Sequence, residues 1–392
     1  MSKKMKVGVV GLGDMGSGLA KNLIINGFET RGFDISDCRL KNFSKFGGIV
    51  TKDLKDLATN SEVVFIMVMT GKQVENVIFG DEGLSKFMAK GSTIILTATI
   101  NPSEAIQIGD DLKGASISLI DSPVSGGFPG AQSGTLTMMA AGHALVLNRV
   151  LPVMEAVSKT IHIVGNSAGD GQIVKACLQS LIGSIFSATF EAAVLAAKAG
   201  VSGEVLYKVF STSGAGSGVC NTALENIIDR KFEGTGSHIA TMHKDLTISL
   251  DLARDLGVPL HTASTAMQLF HAGKTKYPEG DNWAVTRVLE EIVGEYSNVD
   301  PKSKLMKDIS NSKIEVHGSV QLRDINKRLG TKLSDSTVTT INGYILETLQ
   351  EIPQAGMTFK QDDIIIEVEK VNNNFVNYLC NLFFNLGSLK FF

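Results

Sequence analysis

The sequence predicts an α/β domain built on a parallel sheet, followed by an all-helical domain and a small C-terminal α/β module. Up to about residue 166, short apolar strand patterns alternate with helical patterns, which is typical of a parallel sheet with helices on both faces. From Gln172 to Ala199 the chain has no Pro, and Gly183 is its one Gly, so it predicts a helix of roughly 40 Å. Strand and helix patterns mix again at 313–371.

The elements can be placed one by one. Apolar, β-rich runs predict the strands Lys6–Val10, Thr30–Phe33, Val63–Val68, Thr93–Thr97 and Ile117–Ile120, with edge strands at Thr135–Ala140 and Thr160–Val164. Helical patterns between them cover Met15–Asn26, 38–46, 52–59, 72–79, 102–113 and 145–157. After the long helix, further helices are predicted at 203–211, 219–229, 237–256, 260–272 and 283–294.

These patterns divide the chain into five segments. The α/β domain covers 1–166, the helical domain 167–297, a polar linker 298–312, the small module 313–371 and an apolar tail 372–392.

Composition excludes several classes of protein. Of the 392 residues, 43% are hydrophobic and 20% charged, which indicates a globular chain. The net charge of −3 gives no indication of nucleic-acid binding. Neither the four scattered cysteines nor the seven histidines show the spacing of metal ligands, so no metal is expected.

The sequence shows no targeting or membrane signal. The basic N-terminus lacks the apolar run of a signal peptide, and no stretch of about 18 uncharged apolar residues indicates a membrane span. We therefore expect a cytoplasmic protein.

A Gly-x-Gly-x-x-Gly motif follows the first strand and opens a helix, the context that this fingerprint requires. Its glycines permit a tight turn, close approach of the backbone to a diphosphate and close packing of helix on strand. The motif predicts a Rossmann dinucleotide-binding domain. The predicted cofactor-binding residues of this loop are Gly11, Leu12, Gly13, Asp14, Met15 and Gly16.

Asp34 ends the second strand, 18 positions after Gly16, near the offset of an acidic ribose ligand. A carboxylate there accepts hydrogen bonds from the ribose hydroxyls and repels a 2′-phosphate, which favours NAD over NADP. Arg31 and Arg39 keep NADP open, and a surface turn is the structural alternative.

The loop after the Ile117–Ile120 strand contains Ser125, Gly126 and Gly127. Successive backbone N–H groups and a hydroxyl suit a substrate carboxylate, and loops of this kind hold ligands in open α/β sheets. A structural glycine turn is the alternative.

Three polar residues, Gln172, Lys175 and Gln179, fall on one line of the otherwise apolar long helix. A lysine whose pKa is lowered by burial can take the proton of an alcohol while hydride leaves carbon for a nicotinamide. Lys175 is therefore the candidate acid/base and Gln179 a candidate substrate ligand. The alternative is a lysine that extends to solvent.

The helix 237–256 carries the further polar candidates His238, His243 and Lys244. Lys244 can reach the cofactor or the substrate, and a surface pair between Lys244 and Asp245 is the alternative.

With these motifs in view, residues 5–295 resemble the β-hydroxyacid dehydrogenase (3-hydroxyisobutyrate dehydrogenase-like) family. The motifs that carry the resemblance are Gly11–Gly16, Asp121–Gly127, Gly169–Lys175 and Lys244-Asp-Leu. The resemblance implies NAD as cofactor and homo-oligomers built through the helical domains. It also implies Lys175 as the catalytic residue, substrate contacts at Ser125, Gly126 and Gly127, and cofactor contacts at Thr99 and Lys244.

Gln179 replaces the Asn that many members carry, and this makes the chain similar to the L-threonate dehydrogenase branch. The segments Val77–Gly80 and Pro259–Thr265 are similar to that branch as well. Leu178 and Gly218 depart from it, since the branch often has His and Trp there. The expected reaction is oxidation of L-threonate at C2 to the 2-oxo acid. 3-Hydroxyisobutyrate dehydrogenase and tartronate semialdehyde reductase remain alternatives.

The segment 313–371 resembles the CorC/HlyC transporter-associated domain through Val316–Gly318, Asp324–Asn326, Thr340–Gly343 and Ile352–Gly356. It is either a regulatory module or a joined reading frame without a selected role. It also raises a non-enzymatic alternative, an NAD-sensing subunit that docks on a transporter.

Overall fold

The computed structural model divides the chain into two compact units, residues 1–295 and 296–392. It describes residues 4–293, 306–310, 313–333, 338–350, 353–361, 364–370 and 379–384. Residues 298–305 and 311–312 of the expected linker lie outside the described residues, as do 372–378 and 385–392 of the expected tail.

The first unit begins with a nine-stranded sheet whose order is β3-β2-β1-β4-β5-β6-β8-β7, with β9 paired to β8. Its strands are β1 (Val7–Val10), β2 (Thr30–Phe33), β3 (Ile49–Val50), β4 (Val63–Ile66), β5 (Thr93–Leu96), β6 (Ser118–Asp121), β7 (Val124–Ser125), β8 (Leu136–Ala141) and β9 (Ser158–Gly165). The strands β1 to β6 pair in parallel in the order of a Rossmann fold. The predicted fold class is therefore confirmed.

Helices cover both faces of this sheet. They are α1 (Asp14–Ile25), α2 (Asp37–Lys45), α3 (Leu54–Thr59), α4 (Gly71–Phe79), α5 (Pro102–Ala115), α6 (Gly127–Ser133) and α7 (Ala144–Glu155). Because successive strand residues point to opposite faces, Val9 and Phe65 join the core under α1 and α7. Val10 and Val64 join the core under α3, α4 and α5.

The sheet is mixed rather than wholly parallel. Strand β8 runs antiparallel to β6 and β7, while β9 runs parallel to β8. The short helix α6 connects β7 to β8, and positive φ angles at Gly126 and Gly134 at its two ends reverse the chain. The strand patterns predicted seven of these strands but neither the two-residue strands β3 and β7 nor this reversal.

The rest of the first unit is helical. It consists of α8 (Asp170–Lys198), α9 (Gly203–Thr212), α10 (Gly218–Ile228), α11 (Ile239–Leu256), α12 (His261–Lys276) and α13 (Val285–Val293). Its core holds Phe186, Phe190, Phe270 and Trp283, whose rings contact one another at centroid distances of 5.6–6.4 Å.

By length and composition alone, α8 is apolar enough to cross a membrane. In this structure it packs against α10, α11, α12 and α13. Because it has these four neighbours, α8 is the central helix of the helical domain. Its polar residues Gln172, Lys175 and Gln179 are buried.

A buried carboxylate attaches α8 to the sheet. The Asp121 side chain, fully buried at the end of β6, accepts hydrogen bonds from the backbone N–H groups of Gly169 (2.9 Å) and Gln172 (3.2 Å) and from the Gln172 amide (2.7 Å). The Gln172 amide also donates to Ala98 O and accepts from the N–H of Ile100. We call these five residues the Asp121 clasp. It joins the ends of β5 and β6 to the first turn of α8.

The second unit is a five-stranded sheet in the order β10-β11-β14-β13-β12, with all neighbouring strands antiparallel. Its elements are β10 (Met306–Ser310), β11 (Lys313–His317), α14 (Leu322–Leu329), α15 (Ile341–Leu349), β12 (Thr358–Gln361), β13 (Ile364–Lys370) and β14 (Leu379–Phe384). Its separate core includes Ile314, Ile345 and Ile366. Strands β10 and β14 come from segments that the sequence assigned to the linker and the tail.

Burial of Asp121 predicts a pH-dependent stability. Desolvation raises the pKa of this carboxyl to about 6, although the hydrogen bonds from Gln172 and Gly169 lower it in part. Because the pKa is raised in the folded state, the stabilisation is present at low pH and is lost as the pH rises through about 6. Relative to an Asp121→Asn variant, the free energy of unfolding of the native chain should rise by about 2 kcal/mol from about pH 7 to about pH 4.5.

Denaturant unfolding of both proteins across this pH range measures the difference, with Asp111→Asn on the exposed side of α5 as the control. A difference that stays constant with pH would contradict the raised pKa.

Candidate active site

The glycine loop between β1 and α1 has the shape of a diphosphate site. Gly11 has φ +87°, and a Cβ atom there would lie 2.5 Å from Met67 O. A Cβ on Gly16 would lie 1.8 Å from Gly11 O, so the loop and helix close tightly only without side chains. Gly13 is the N-cap of α1 and offers no side-chain cap. The N–H groups of the first turn, starting at Asp14 and Met15, therefore remain available to an anion.

Asp34 borders this loop. Its buried carboxylate accepts the N–H of Leu12 at 2.7 Å and the N–H of Ser36 at 2.9 Å. The guanidinium of Arg39 lies 3.5 Å from the same carboxylate and 3.6 Å from the position of a Cβ on Gly13. The loop and Asp34 together form a cradle that fits the diphosphate and ribose of a dinucleotide.

Lys175 lies on α8, one turn after the Asp121 clasp. Its side chain is 6% exposed, and its ammonium forms no salt bridge within the described part of the chain. Burial lowers the pKa of Lys175, nearby Lys244 lowers it further, and the negative charge of Asp245 opposes both effects. The lysine is thus easier to deprotonate than one in water.

Asp245 organises the polar groups around Lys175. It is 3% exposed, accepts a hydrogen bond from the Gln179 amide (2.6 Å) and lies 2.8 Å from the Lys244 ammonium. Lys244 also donates to the backbone oxygen of Thr99 at 2.5 Å. The Lys244–Asp245 pair is therefore not a surface ion pair. One of the two amide protons of Gln179 is used in the hydrogen bond to Asp245.

The loop expected to hold a carboxylate adjoins the first turn of α8. A Cβ on Gly171 would lie 2.9 Å from both Asp121 O and Pro123 Cδ, so helix and loop are in close contact. Ser125 ends β7, and Gly126 and Gly127 have φ of +127° and +57°. Gly127 also begins α6, which the sequence did not predict.

The structure gathers most of the predicted residues at one edge. The glycine loop, Thr99 and Asp121 follow the carboxyl ends of β1, β5 and β6, and α8 and α11 bring Lys175 and Lys244 to the same edge. The clasp role of Asp121 and Gln172 and the burial of Asp245 were missed. The signal available in the sequence was an aspartate at the end of an apolar strand.

The described residues contain no group of three or more His, Cys, Asp or Glu side chains that could hold a metal ion. The groups that this edge offers are a buried lysine, an amide, backbone N–H groups and a dinucleotide cradle.

Three family models match the chain. The NAD binding domain of 6-phosphogluconate dehydrogenase matches residues 6–165, and the NAD-binding domain of NADP-dependent 3-hydroxyisobutyrate dehydrogenase matches residues 169–289. The transporter associated domain CorC/HlyC matches residues 307–379.

Curated relatives cover the first unit. The chain is 31% identical to an L-threonate dehydrogenase of Escherichia coli O6:H1 over 288 residues, 73% of this chain and 95% of that one. It is 33% identical to a 2-hydroxy-3-oxopropionate reductase of Escherichia coli K12 over 267 residues, 68% of this chain and 90% of that one.

Solved structures agree with this. A 3-hydroxyisobutyrate dehydrogenase from Salmonella typhimurium superposes with a TM-score of 0.68 at 30% identity, covering 73% of this chain and 100% of that one. A 3-hydroxyisobutyrate dehydrogenase from Mycobacterium tuberculosis with L-serine gives 0.67 at 26% identity, covering 73% and 99%.

The cradle for a dinucleotide, the buried lysine of α8 and the relatives that align over 73% and 68% of the chain lead to one conclusion. The chain belongs to the β-hydroxyacid dehydrogenase (3-hydroxyisobutyrate dehydrogenase-like) family and is an NAD-dependent hydroxyacid dehydrogenase.

Proposed function

We propose that this enzyme oxidises L-threonate at C2 to the 2-oxo acid, with Lys175 as the general acid/base. The observation that carries the proposal is the burial of Lys175, with a lowered pKa, on the helix that the Asp121 clasp fixes at the carboxyl edge of the sheet. A lysine at that position can exchange a proton with a substrate alcohol.

NAD held by the glycine loop and Asp34 would supply the acceptor for the hydride of the carbinol carbon. The neutral amine of Lys175 takes the hydroxyl proton and becomes an ammonium, which afterwards releases that proton to water. In the reverse direction the ammonium donates the proton to the carbonyl oxygen. Burial favours the amine, the charge of Asp245 favours the ammonium, and Lys244 favours the amine, with a net lowering of the pKa of Lys175.

Substrate binding in this proposal uses the loop before α6. The backbone N–H groups at Gly126 and Gly127 and the hydroxyl of Ser125 bind the carboxylate. Gln179 orients a substrate hydroxyl with its remaining hydrogen-bonding capacity. Support for threonate comes from Gln179 itself and from curated relatives named L-threonate dehydrogenase at 31% identity.

The proposed cofactor contacts are based on the geometry of the cradle formed by the glycine loop and Asp34. The N–H groups of the glycine loop bind the diphosphate, and Asp34 accepts the ribose hydroxyls. Thr99 and Lys244 border the nicotinamide side, where Lys244 is held by the Thr99 backbone oxygen. A carboxylate at Asp34 favours NAD over NADP.

We also propose a homo-oligomer that buries the outer face of α8. Exposed apolar residues recur along that face at helical spacing, namely Ile173, Val174, Leu181 and Leu195. Light scattering tests this, and a monomer at every concentration would contradict it.

A cytoplasmic location fits these properties, because NAD-dependent oxidation needs a renewed NAD pool. Cys38, Cys177 and Cys220 are free thiols, as is usual in a reducing compartment.

The substrate is tested by following NADH formation with purified enzyme, NAD or NADP, and L-threonate, 3-hydroxyisobutyrate or D-threonate. Reduction of tartronate semialdehyde is followed in the reverse direction. The proposal expects the highest kcat/KM for L-threonate with NAD. A higher value for another of these substrates would reject threonate while leaving the dehydrogenase class intact.

Replacing Lys175 should abolish proton transfer. Lys175→Ala is expected to lower kcat by roughly 10²–10⁴-fold. Lys175→Arg should be as inactive, because guanidinium keeps the charge but does not deprotonate. In the native enzyme, oxidation should slow as the pH falls through the lowered pKa of Lys175, because the neutral amine is the base.

Steady-state kinetics measure these effects, and NADH binding by fluorescence verifies that the variants keep the cofactor site. Lys198→Ala, at the far end of α8, is the control. Substantial activity in Lys175→Arg would show that charge alone is required and would reject the acid/base role.

Replacing Asp34 should change the cofactor preference. Asp34→Asn keeps an oxygen for the N–H of Leu12 but removes the charge that repels a 2′-phosphate. We expect roughly tenfold weaker binding of NADH and equal or tighter binding of NADPH, since hydrogen bonds to a charged group contribute about 1.5–3 kcal/mol. Titration of protein with each reduced cofactor measures this. An equal loss for both would remove Asp34 from ribose recognition.

A further inference from the structure

A histidine of the helical domain contacts the glycine loop of the Rossmann domain. The Nε2 atom of His238 lies 3.0 Å from an Asp14 carboxylate oxygen. His238 is the N-cap of α11, and Asp14 is the first residue of α1. The contact therefore brings α11 to the N-terminus of the helix that receives the diphosphate.

A second contact fixes the orientation of α11. Lys244, six residues after His238, donates to Thr99 O after the end of β5. Six helical residues rise about 9 Å. The strands β1 and β5 are separated by β4 alone, which is about 9.6 Å at ordinary strand spacing. The start of α11 thus spans the carboxyl ends of these strands, with His238 at one end and Lys244 at the other.

The surroundings of His238 hold its ring in place. Asp281 is fully buried and accepts hydrogen bonds from the Thr235 hydroxyl and the Ser237 N–H. Its carboxylate lies 3.5 Å from Nδ1 of His238. Both ring nitrogens therefore face carboxylate oxygens, Nε2 that of Asp14 and Nδ1 that of Asp281.

Asp14 creates an electrostatic problem for NAD binding. A carboxylate in the first turn of α1 stabilises the helix in the free protein. When the diphosphate of NAD occupies the same helix end, that carboxylate and the phosphates repel each other. Asp14 is 52% exposed, so a side chain from outside the loop can contact its carboxylate.

We propose that His238 is a cofactor-affinity residue that acts through Asp14. Its imidazole contacts the Asp14 carboxylate through Nε2 and partly offsets the negative charge there, which allows the glycine loop to accept the diphosphate. The proposal concerns binding of NAD and does not depend on the identity of the hydroxy acid.

The packing of the adjacent loop supports a fixed position for His238. A Cβ on Gly236 would lie 2.6 Å from the Cβ of Phe128 on α6, so the chain leading to His238 is held against the loop proposed to bind substrate. The backbone that leads to His238 is therefore packed, while the contacting side chains of His238 and Asp14 are 46% and 52% exposed.

The test is a double-mutant cycle on cofactor binding with the full-length protein. The variants are His238→Ala, Asp14→Asn and the two combined, with His162→Ala on the edge strand β9 as the control. Kd is measured by fluorescence for NADH and by competition for ADP-ribose, which carries the diphosphate without the nicotinamide. Adenosine, which has no phosphate, is the control ligand. Thermal unfolding verifies that each variant folds.

His238→Ala should weaken NADH and ADP-ribose about three- to fivefold, the size of a partly solvated charge contact, and leave adenosine unchanged. Asp14→Asn should tighten both diphosphate ligands, and in that background His238→Ala should change Kd less than twofold.

The proposal is overturned if His238→Ala leaves Kd for NADH unchanged, or if adenosine weakens as much as ADP-ribose. It is also overturned if His238→Ala causes the same loss in the Asp14→Asn background, because His238 would then act independently of the Asp14 carboxylate.

Discussion

The fully buried carboxylate of Asp121 accepts three hydrogen bonds, and the arrangement of the candidate active site depends on them. Two come from backbone N–H groups in the first turn of α8, where a negative charge is favourable because of the helix dipole. The third comes from Gln172, which also fixes the backbone at Ala98 and Ile100. Desolvation of the carboxylate costs stability, as its raised pKa indicates. This loss of stability arises because the ends of β5 and β6 and the first turn of α8 are joined through one buried carboxylate.

The position of Lys175 follows from this joint. Lys175, three positions after Gln172, lies on the same side of the helix. The hydrogen bonds that fix Gln172 therefore also fix the position of the Lys175 side chain. The environment of Lys175 is then set by α11, whose Asp245 and Lys244 act on its pKa in opposite directions. Because Lys244 donates a hydrogen bond to Thr99 O, after the end of β5, the position of α11 relative to the sheet is also fixed. Lys175, the proposed acid/base, and the groups that act on its pKa are therefore held in fixed positions relative to the sheet. A general acid/base needs this in order to meet its substrate at hydrogen-bonding distance.

Much of this site could be predicted from the sequence, because its parts lie on local patterns. The glycine loop, Asp34 and the line through Lys175 each fall within one strand, turn or helix. The contacts of Asp121 with Gly169 and of Asp245 with Gln179 join residues 48 and 66 positions apart, and no local periodicity reports them. The reversal at α6 was missed for a different reason. Glycine in Gly126-Gly127 is equally compatible with a ligand-binding turn and with a chain reversal into a helix, and its positive φ serves both.

The second unit contains a strand, β14, that local sequence patterns did not predict. The apolar run Leu379–Phe384 reads as a tail in the sequence, yet its backbone forms the central strand of the five-stranded sheet, between β11 and β13. A central strand has neighbours on both edges, so its backbone N–H and C=O groups are paired on both sides. The pairing of β11 with β14 also joins residues more than sixty positions apart. The five-stranded sheet is therefore complete only when the segment Leu379–Phe384 has paired. Its strand order therefore makes the C-terminal segment a structural requirement of the unit rather than an appendage to it.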